Sequence, residues 1–506
     1  MVKKVSCAIQ FKKYLRDSMN ILIPAFALLI LLLAYMLFRT LRLQKRQDPS
    51  APIEKNEASA EIVDHLSEII RIKSVSRIDP APEDLQPFLQ IHTWIEKTYP
   101  QLSETLEKEV INAYSLLYKW VGTDSRLAPV LFNAHMDVVP ADADTLDKWN
   151  VEPFSGEIRD GAVWGRGTLD MKNQLVALLE SVEALINEGY APRRTIYLAF
   201  GHDEEIMGFQ GSKYIVDYLK GKGVQLAAVL DEGGMLTEKM LEGVEDPVGL
   251  VGITEKGYLT LSITAMGNPG HSSMPPRQTA IGILSRAIAL MDDHPMPPHL
   301  DHILPTLLNI GHLLPFGLQF VVANAWLFKP ILIRQLAKST QMNALIRTTH
   351  AATMIESGIK DNVLPSNAKA KVNCRLLPGD TIDDVIGHFT KVIGDPRVEI
   401  RMDKDCGGWE ASSVSETDTP AYRTLHLVIR QVFENVTVAP FVFLAATDSR
   451  HYQPICSHIY KFSPLQTTPE GREGVHGINE HIRVTGLKQM AVFFHRLMRV
   501  WGEAEF

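Results

Sequence analysis

The chain has 506 residues, more than one simple domain holds, so two or three domains are expected. A hydrophobic share of 45% and a charged share of 22% are those of an ordinary globular protein. A net charge of −8, with no basic array beyond the N-terminus, argues against a nucleic-acid partner. The four cysteines, Cys7, Cys374, Cys406 and Cys456, form no CxxC or CxxH pattern, which argues against a zinc–thiolate site or a disulfide framework.

Residues 20–38 are uncharged and about long enough to cross a bilayer as a helix. A cleaved signal peptide is the alternative, but the exit Phe38-Arg39-Thr40-Leu41-Arg42 has no small-residue cleavage site. The reading is an uncleaved signal anchor. Cations flank it on both sides, so the bias toward a cytoplasmic N-terminus is slight. A sequon at Asn435-Val436-Thr437 is compatible with glycosylation of a lumenal or extracellular body. Residues 39–60, with Pro49 and Pro52, read as a polar stalk.

Folded sequence starts near Glu61, where Ile62, Leu66, Ile69 and Ile70 recur at helical spacing. The apolar run Leu131-Phe132-Asn133-Ala134 predicts a covered strand leading into His135-Met136-Asp137. A Gly165-Arg166-Gly167-Thr168 loop brings Asp170 to the entrance of a helix over 175–186. Apolar strands over 195–201 and 224–230 end in His202-Asp203-Glu204-Glu205 and Asp231-Glu232. Three strand ends carrying His, Asp and Glu, separated by helices, predict a doubly wound, mostly parallel α/β sheet with acidic groups at one edge. Carboxylates gathered this closely repel one another unless cations neutralise them.

After Gly252 the pattern alternates: Leu259, Leu261 and Ile263, and later Ala370, Val372, Cys374 and Leu376, each have one apolar face. With helices after Thr279 and over 382–393, this predicts a small α+β insert. Residues 291–345 are unusually apolar, and serve either as extra core for the insert or as a surface for a greasy ligand or a membrane. The α/β pattern resumes near Lys404, with a helix over 422–433, a strand over 441–444 and a closing helix over 487–500.

The motifs HMDVVP, GRGTLDMK, GHDEE, LDEGG, GHSSMPP, NVLP, TDSR and GVHGINE occur in that order. Together they resemble the co-catalytic zinc peptidases of the aminoacylase and carboxypeptidase S family, over essentially the whole chain after the stalk. TEKGY, GHSSMPP, NAWLF and LIRTT resemble, more closely, those members that join and split fatty acids and amino acids.

The resemblance implies a catalytic domain in two parts, 61–252 and 404–506, around an inserted ferredoxin-like lid or dimerisation domain, 253–403, preceded by a basic tail, 1–19. It implies two Zn(2+) bridged by Asp170, with His135 and Asp231 completing one site and Glu205 and His476 the other. Asp137 would fix the ring of His135, and Glu204 would be the general base. His271 would reach the site from the lid, in some relatives from a partner subunit of a homodimer. Arg450, with Asn362, would take the substrate carboxylate. Three functions are weighed: an amidohydrolase of N-fatty-acyl amino acids that also condenses them, a carboxypeptidase acting on small peptides, and an inactive membrane-anchored binding protein. Residues 316–322 and 326–328 would form the acyl-chain site or rest on the membrane.

Overall fold

The computed structural model describes residues 2–43, 58–238, 244–467 and 474–506. Most of the expected stalk, 44–57, lies outside the described residues.

A ten-stranded sheet forms the larger body. Across it lie Glu107–Ile111, Ser115–Trp120, Ile196–Gly201, Val130–His135, Ala228–Asp231, Ile459–Lys461, Val248–Glu255, Leu236–Thr237 and Gln466–Thr467. Thr437–Phe443 also pairs with Val248–Glu255. The centre is parallel: Val130–His135 runs beside Ile196–Gly201 and Ala228–Asp231 in the same direction. The flanks are antiparallel, as in the hairpin pairing Glu107–Ile111 with Ser115–Trp120. The sheet is therefore mixed rather than mostly parallel. That hairpin escaped the sequence reading because its turn carries no glycine; Asn112 and Ala113 take positive φ instead.

Helices cover both faces, as the fully buried central strands require. Ile62–Ile70, Lys172–Asn187 and Val484–Glu503 pack one face around Phe132, Leu175, Leu179 and Phe494. Ser212–Gly221 packs the other, around Leu131, Ile215 and Val229. Because the three central strands are parallel, their carboxyl ends meet at one edge, the usual ligand position of such sheets.

The second sheet is antiparallel, ordered Thr349–Ser357, Asn367–Leu376, Gly257–Met266 and Val398–Met402, with Gly408–Trp409 also on Gly257–Met266. Helices Ala280–Asp293 and Ile382–Ile393 bury their apolar faces against it, around Leu261, Leu284, Val372 and Phe389. This is the α+β arrangement expected for the insert.

Beyond Met291 and Met296, which join that core, the apolar stretch is not core for that sheet. Ile303–Asn309, Phe316–Ala323, Ala325–Leu336 and Thr340–Ile346 are helices packed on the edge of the large sheet, where Leu307, Val322 and Leu332 join Leu250, Ala439 and Val442. Thr306 Oγ1 donates to Pro440 O at 2.6 Å. The N-terminal helix, Val2–Leu43, runs beyond the expected span, so Arg39–Leu43 is helix rather than stalk. Its Leu22–Leu43 portion is apolar and long enough to cross a membrane.

Candidate active site

The edge where the parallel strands end collects His135, Asp137, Glu204, Glu205 and Glu232, and two loops add Asp170 and His476. Each strand register delivers its polar residue as the chain leaves the sheet. His135 closes Val130–His135, Glu204 opens the 3-10 turn Glu204–Ile206 after Ile196–Gly201, and Glu232 follows Ala228–Asp231.

His135 is fully buried. Its Nδ1 lies 2.9 Å from Asp137 O and 3.3 Å from Asp137 Oδ1. Its Nε2 faces Asp170 Oδ1 at 3.1 Å, Glu232 Oε1 at 3.3 Å and Glu204 Oε2 at 3.9 Å. On the other side of Asp170, His476 Nε2 is 3.0 Å from Asp170 Oδ2 and 3.1 Å from Glu205 Oε2. Two sets of potential ligand atoms result, His135–Asp170–Glu232 and Asp170–Glu205–His476, each within 4.8 Å, and they share Asp170.

Asp231 does not join the cluster, contrary to expectation. Its Oδ1 accepts from Asn133 Nδ2 at 3.0 Å and its Oδ2 from Ser449 N at 2.9 Å. Asp231 is still inside the strand ladder, paired with Lys461, so its side chain is spent on the Asn133 side chain and the Ser449 amide beside it. Glu232, one residue past the ladder, takes the place expected for it. The signal was present in the Asp231-Glu232 pair; strand register decides between the two.

Asp137 does more than steady His135. Its two carboxylate oxygens accept from the amides of Glu204 and Glu205, each at 3.1 Å. One buried side chain thus sets both the ring of His135 and the turn that carries Glu204 and Glu205.

Sequence reasoning also missed Arg166 and Glu480. Glu480 is fully buried. Its Oε1 accepts from the amides of Gly167 at 3.0 Å and Leu169 at 2.7 Å, and from Asp170 N at 3.3 Å. Its Oε2 accepts from Arg166 Nη1 at 2.6 Å, and Arg166 Nη2 donates to His476 O at 3.2 Å and Gly477 O at 3.0 Å. This pair ties the Asp170 loop to the His476 loop. The GRGT and GINE motifs contain it, but nothing local shows that they meet.

The charges follow from crowding. Hydrogen bonds from Asp170 and Glu205 raise the ring of His476 to about 10. Burial alone would lower His135, but the hydrogen bonds of Asp137, Asp170 and Glu232 outweigh it and raise that ring well above its usual range. Burial pushes Glu204 well up and Glu232 to about 8. The cluster calls for positive charge. Glu205 Oε1 is buried without a hydrogen-bond partner among the described residues, as a ligand oxygen aimed at a cation would be. Mixed imidazole and carboxylate donors suit zinc without any thiolate.

Arg450 forms no ion pair among the described residues; it donates to Thr447 O at 2.8 Å and Met207 O at 2.5 Å and lies 4.8 Å over the Trp409 ring. It links the TDSR loop to the turn after Glu205. His271 and Asn362 sit together, exposed, where Gly270–His271 pairs with Val363–Leu364. His271 Nδ1 accepts from Ser273 N at 3.1 Å, and Ser272 N donates to Asn362 O at 3.2 Å. Among the described residues, neither forms a hydrogen bond or ion pair with the acidic cluster.

Residues 131–500 match Peptidase family M20/M25/M40. The chain belongs to this family. The N-fatty-acyl-amino acid synthase/hydrolase PM20D1 of Xenopus tropicalis is 38% identical over 486 residues, covering 93% of each chain. The probable carboxypeptidase S-like 2 of Dictyostelium discoideum is 36% identical, covering 93% of this chain and 92% of its own. Among solved structures, the M20 family metallo-carboxypeptidase Sso-CP2 of Sulfolobus solfataricus superposes with a TM-score of 0.61 at 17% identity, over 88% of this chain and all of that one. That likeness establishes the family's fold here.

Proposed function

We propose that this member of the family is a membrane-tethered zinc amidohydrolase that hydrolyses N-fatty-acyl amino acids and condenses them from fatty acid and amino acid in reverse. The observation that carries the reading is the pair of ligand sets sharing Asp170, in a chain that aligns over 93% of its length with an N-fatty-acyl-amino acid synthase/hydrolase.

His135, Asp170 and Glu232 would hold one zinc, and Asp170, Glu205 and His476 the other. Bound there, two zinc ions lower the pKa of water and polarise an amide carbonyl. Glu204 belongs to neither set. It takes the proton of the attacking water at a carboxylate oxygen and delivers it to the leaving nitrogen, so one group serves as base and then acid. Its burial raises its proton affinity, which suits a group that takes up a proton and later returns it. Asp137 holds Glu204 in place through its backbone amide.

The α-carboxylate of the substrate is assigned to Arg450, which has donors to spare beyond its two carbonyl contacts. His271 and Asn362 lie at the exposed two-stranded pairing of Gly270–His271 with Val363–Leu364, and we assign them to a lid that closes on the site, from its own chain or from a second copy, with His271 donating to the developing oxyanion. The helix Leu22–Leu43 is assigned as the anchor, and exposed Asn435 as a glycan site on a lumenal or extracellular body. A carboxypeptidase reading is favoured by the likeness to carboxypeptidase S-like 2. The same machinery serves both, so substrate decides.

The test is to incubate zinc-loaded protein with a mixture of N-acyl amino acids, and separately with fatty acids plus amino acids, and to read products by mass spectrometry. Loss of acyl amino acids in the first and their appearance in the second supports the reading. Action on peptides alone overturns it in favour of the carboxypeptidase.

A further inference from the structure

We propose that the helical hairpin Phe316–Ala323 and Ala325–Leu336 is a second membrane contact, which seats the catalytic body on the bilayer beside the anchor. The proposal rests on the anchor reading of Leu22–Leu43.

The anchor and hairpin are joined rigidly. Met36, Thr40 and Leu43 are buried, although the rest of the apolar helix is open. Asn324, between the two hairpin helices, donates from Nδ2 to Met36 O at 3.2 Å and to Thr40 Oγ1 at 3.4 Å. Leu43 lies so close to Gly311 that a Cβ there would meet Leu43 Cδ1 at 2.9 Å.

Those contacts set the height of the hairpin. At 1.5 Å per residue, Met36 lies about 21 Å along the helix from Leu22, and Leu43 about 32 Å. The hydrocarbon core is about 30 Å thick. The hairpin therefore grips the anchor from roughly 9 Å inside the core up to its boundary. Amphipathic helices that lie in the interface bury their apolar faces about 5–10 Å deep, the same range.

The exposed face is suited to that depth. Trp326, Leu327, Pro330 and Ile331 form one stripe of Ala325–Leu336, with Trp326 54% and Ile331 58% exposed, and Phe316 opens the preceding helix, also exposed. Lys329 lies beside the stripe, and Arg334 ends it one turn beyond Pro330 and Ile331. No Asp or Glu occurs from 302 to 355, in a chain with 59 of them in 506 residues, whereas Lys329, Arg334, Lys338 and Arg347 do occur. A water-facing surface has no reason to lose its carboxylates; one pressed against phosphate headgroups does. At the junction, a cavity of about 630 Å³ places Arg39 and Arg42 beside Tyr35, Phe38, Leu308 and Ala323, cations beside an apolar wall, as a phospholipid presents them in reverse.

The test uses full-length, zinc-loaded protein in phosphatidylcholine–phosphatidylserine vesicles, with or without doxyl-labelled lipid. An environment-sensitive fluorophore is placed singly at Ile331→Cys, at Leu31→Cys in the anchor, or at Ile359→Cys, exposed in the loop after Thr349–Ser357, in a background lacking other reactive thiols. The expected result is that doxyl lipid removes more than about half of the emission at 331 and 31 and leaves 359 unchanged. Quenching at 31 but not at 331 overturns the second contact while leaving the anchor standing, and this is also the result if another copy of the chain covers the stripe. No quenching at 31 overturns the anchor reading and the proposal with it. The variant Ile331→Asp, measured alongside, should turn over a water-soluble acetyl amino acid and long-chain substrate in detergent as the parent does, and lose activity only on long-chain substrate supplied in vesicles. Equal activity on vesicle substrate overturns the proposal independently of labelling.

Discussion

Changing Glu480→Gln probes how the two halves of the site are held together. Glu480 touches no substrate; its role is to accept from Arg166 at 2.6 Å and from three backbone amides of the loop that carries Asp170. Glutamine keeps one oxygen for the amides but turns an NH2 toward the guanidinium. A buried Arg166 then loses its counter-charge, which costs about 3–5 kcal/mol. The loss spreads, because the same guanidinium holds the carbonyls of His476 and Gly477. Misplacing such supporting groups costs roughly 10–100-fold in metal affinity. Equilibrium urea unfolding of parent and variant, with zinc content measured on each, separates the two effects. The midpoint should fall with little change in slope, and the ion shared by Asp170 and His476 should be lost first. A variant within about 1 kcal/mol of the parent, with unchanged metal affinity, would refute the linkage.

Other outcomes follow from the same geometry. Asp137→Asn should lower both metal affinity and kcat, because a carboxamide cannot accept from both the Glu204 and Glu205 amides; an effect on metal alone would limit Asp137 to His135. Glu204→Gln should reduce kcat by roughly 100-fold or more with metal content nearly intact, and full activity would remove Glu204 from its role. Away from the site, burial lowers the ring of His65, but the hydrogen bond and charge of Glu180 outweigh it and leave the ring raised. A raised folded value means the stabilisation is complete below the unfolded pKa of about 6.5 and is lost as pH rises through the folded one. The gap in thermal midpoint between parent and His65→Asn should thus narrow from pH 6 upward; a gap that widens contradicts the sign.

Much of the site was legible because each strand end announces itself. An apolar run stopping at His135, or at Glu204-Glu205, needs only the rule that parallel sheets bind at their carboxyl edge. What stayed hidden depends on tertiary facts. Whether Asp231 or Glu232 faces the edge turns on where one ladder ends, a single-residue matter that composition does not decide. Arg166 and Glu480 lie over 300 positions apart and meet only in the folded chain. The apolar stretch 291–345 could be read as core of the insert or as surface, since periodicity marks an apolar face but not its neighbour. Its neighbours, Thr437–Phe443 and the end of the N-terminal helix, come from opposite ends of the chain.

The central claim, two metals in one acidic cluster acting on fatty-acyl amino acids, is tested most directly by titrating metal-free protein with zinc while following hydrolysis of oleoyl-phenylalanine and of a blocked dipeptide. Oleoyl-phenylalanine turnover should rise from near zero, saturate at two zinc ions per chain, and exceed dipeptide turnover throughout. Full turnover without zinc, or a zinc-loaded protein that prefers the dipeptide, would contradict it.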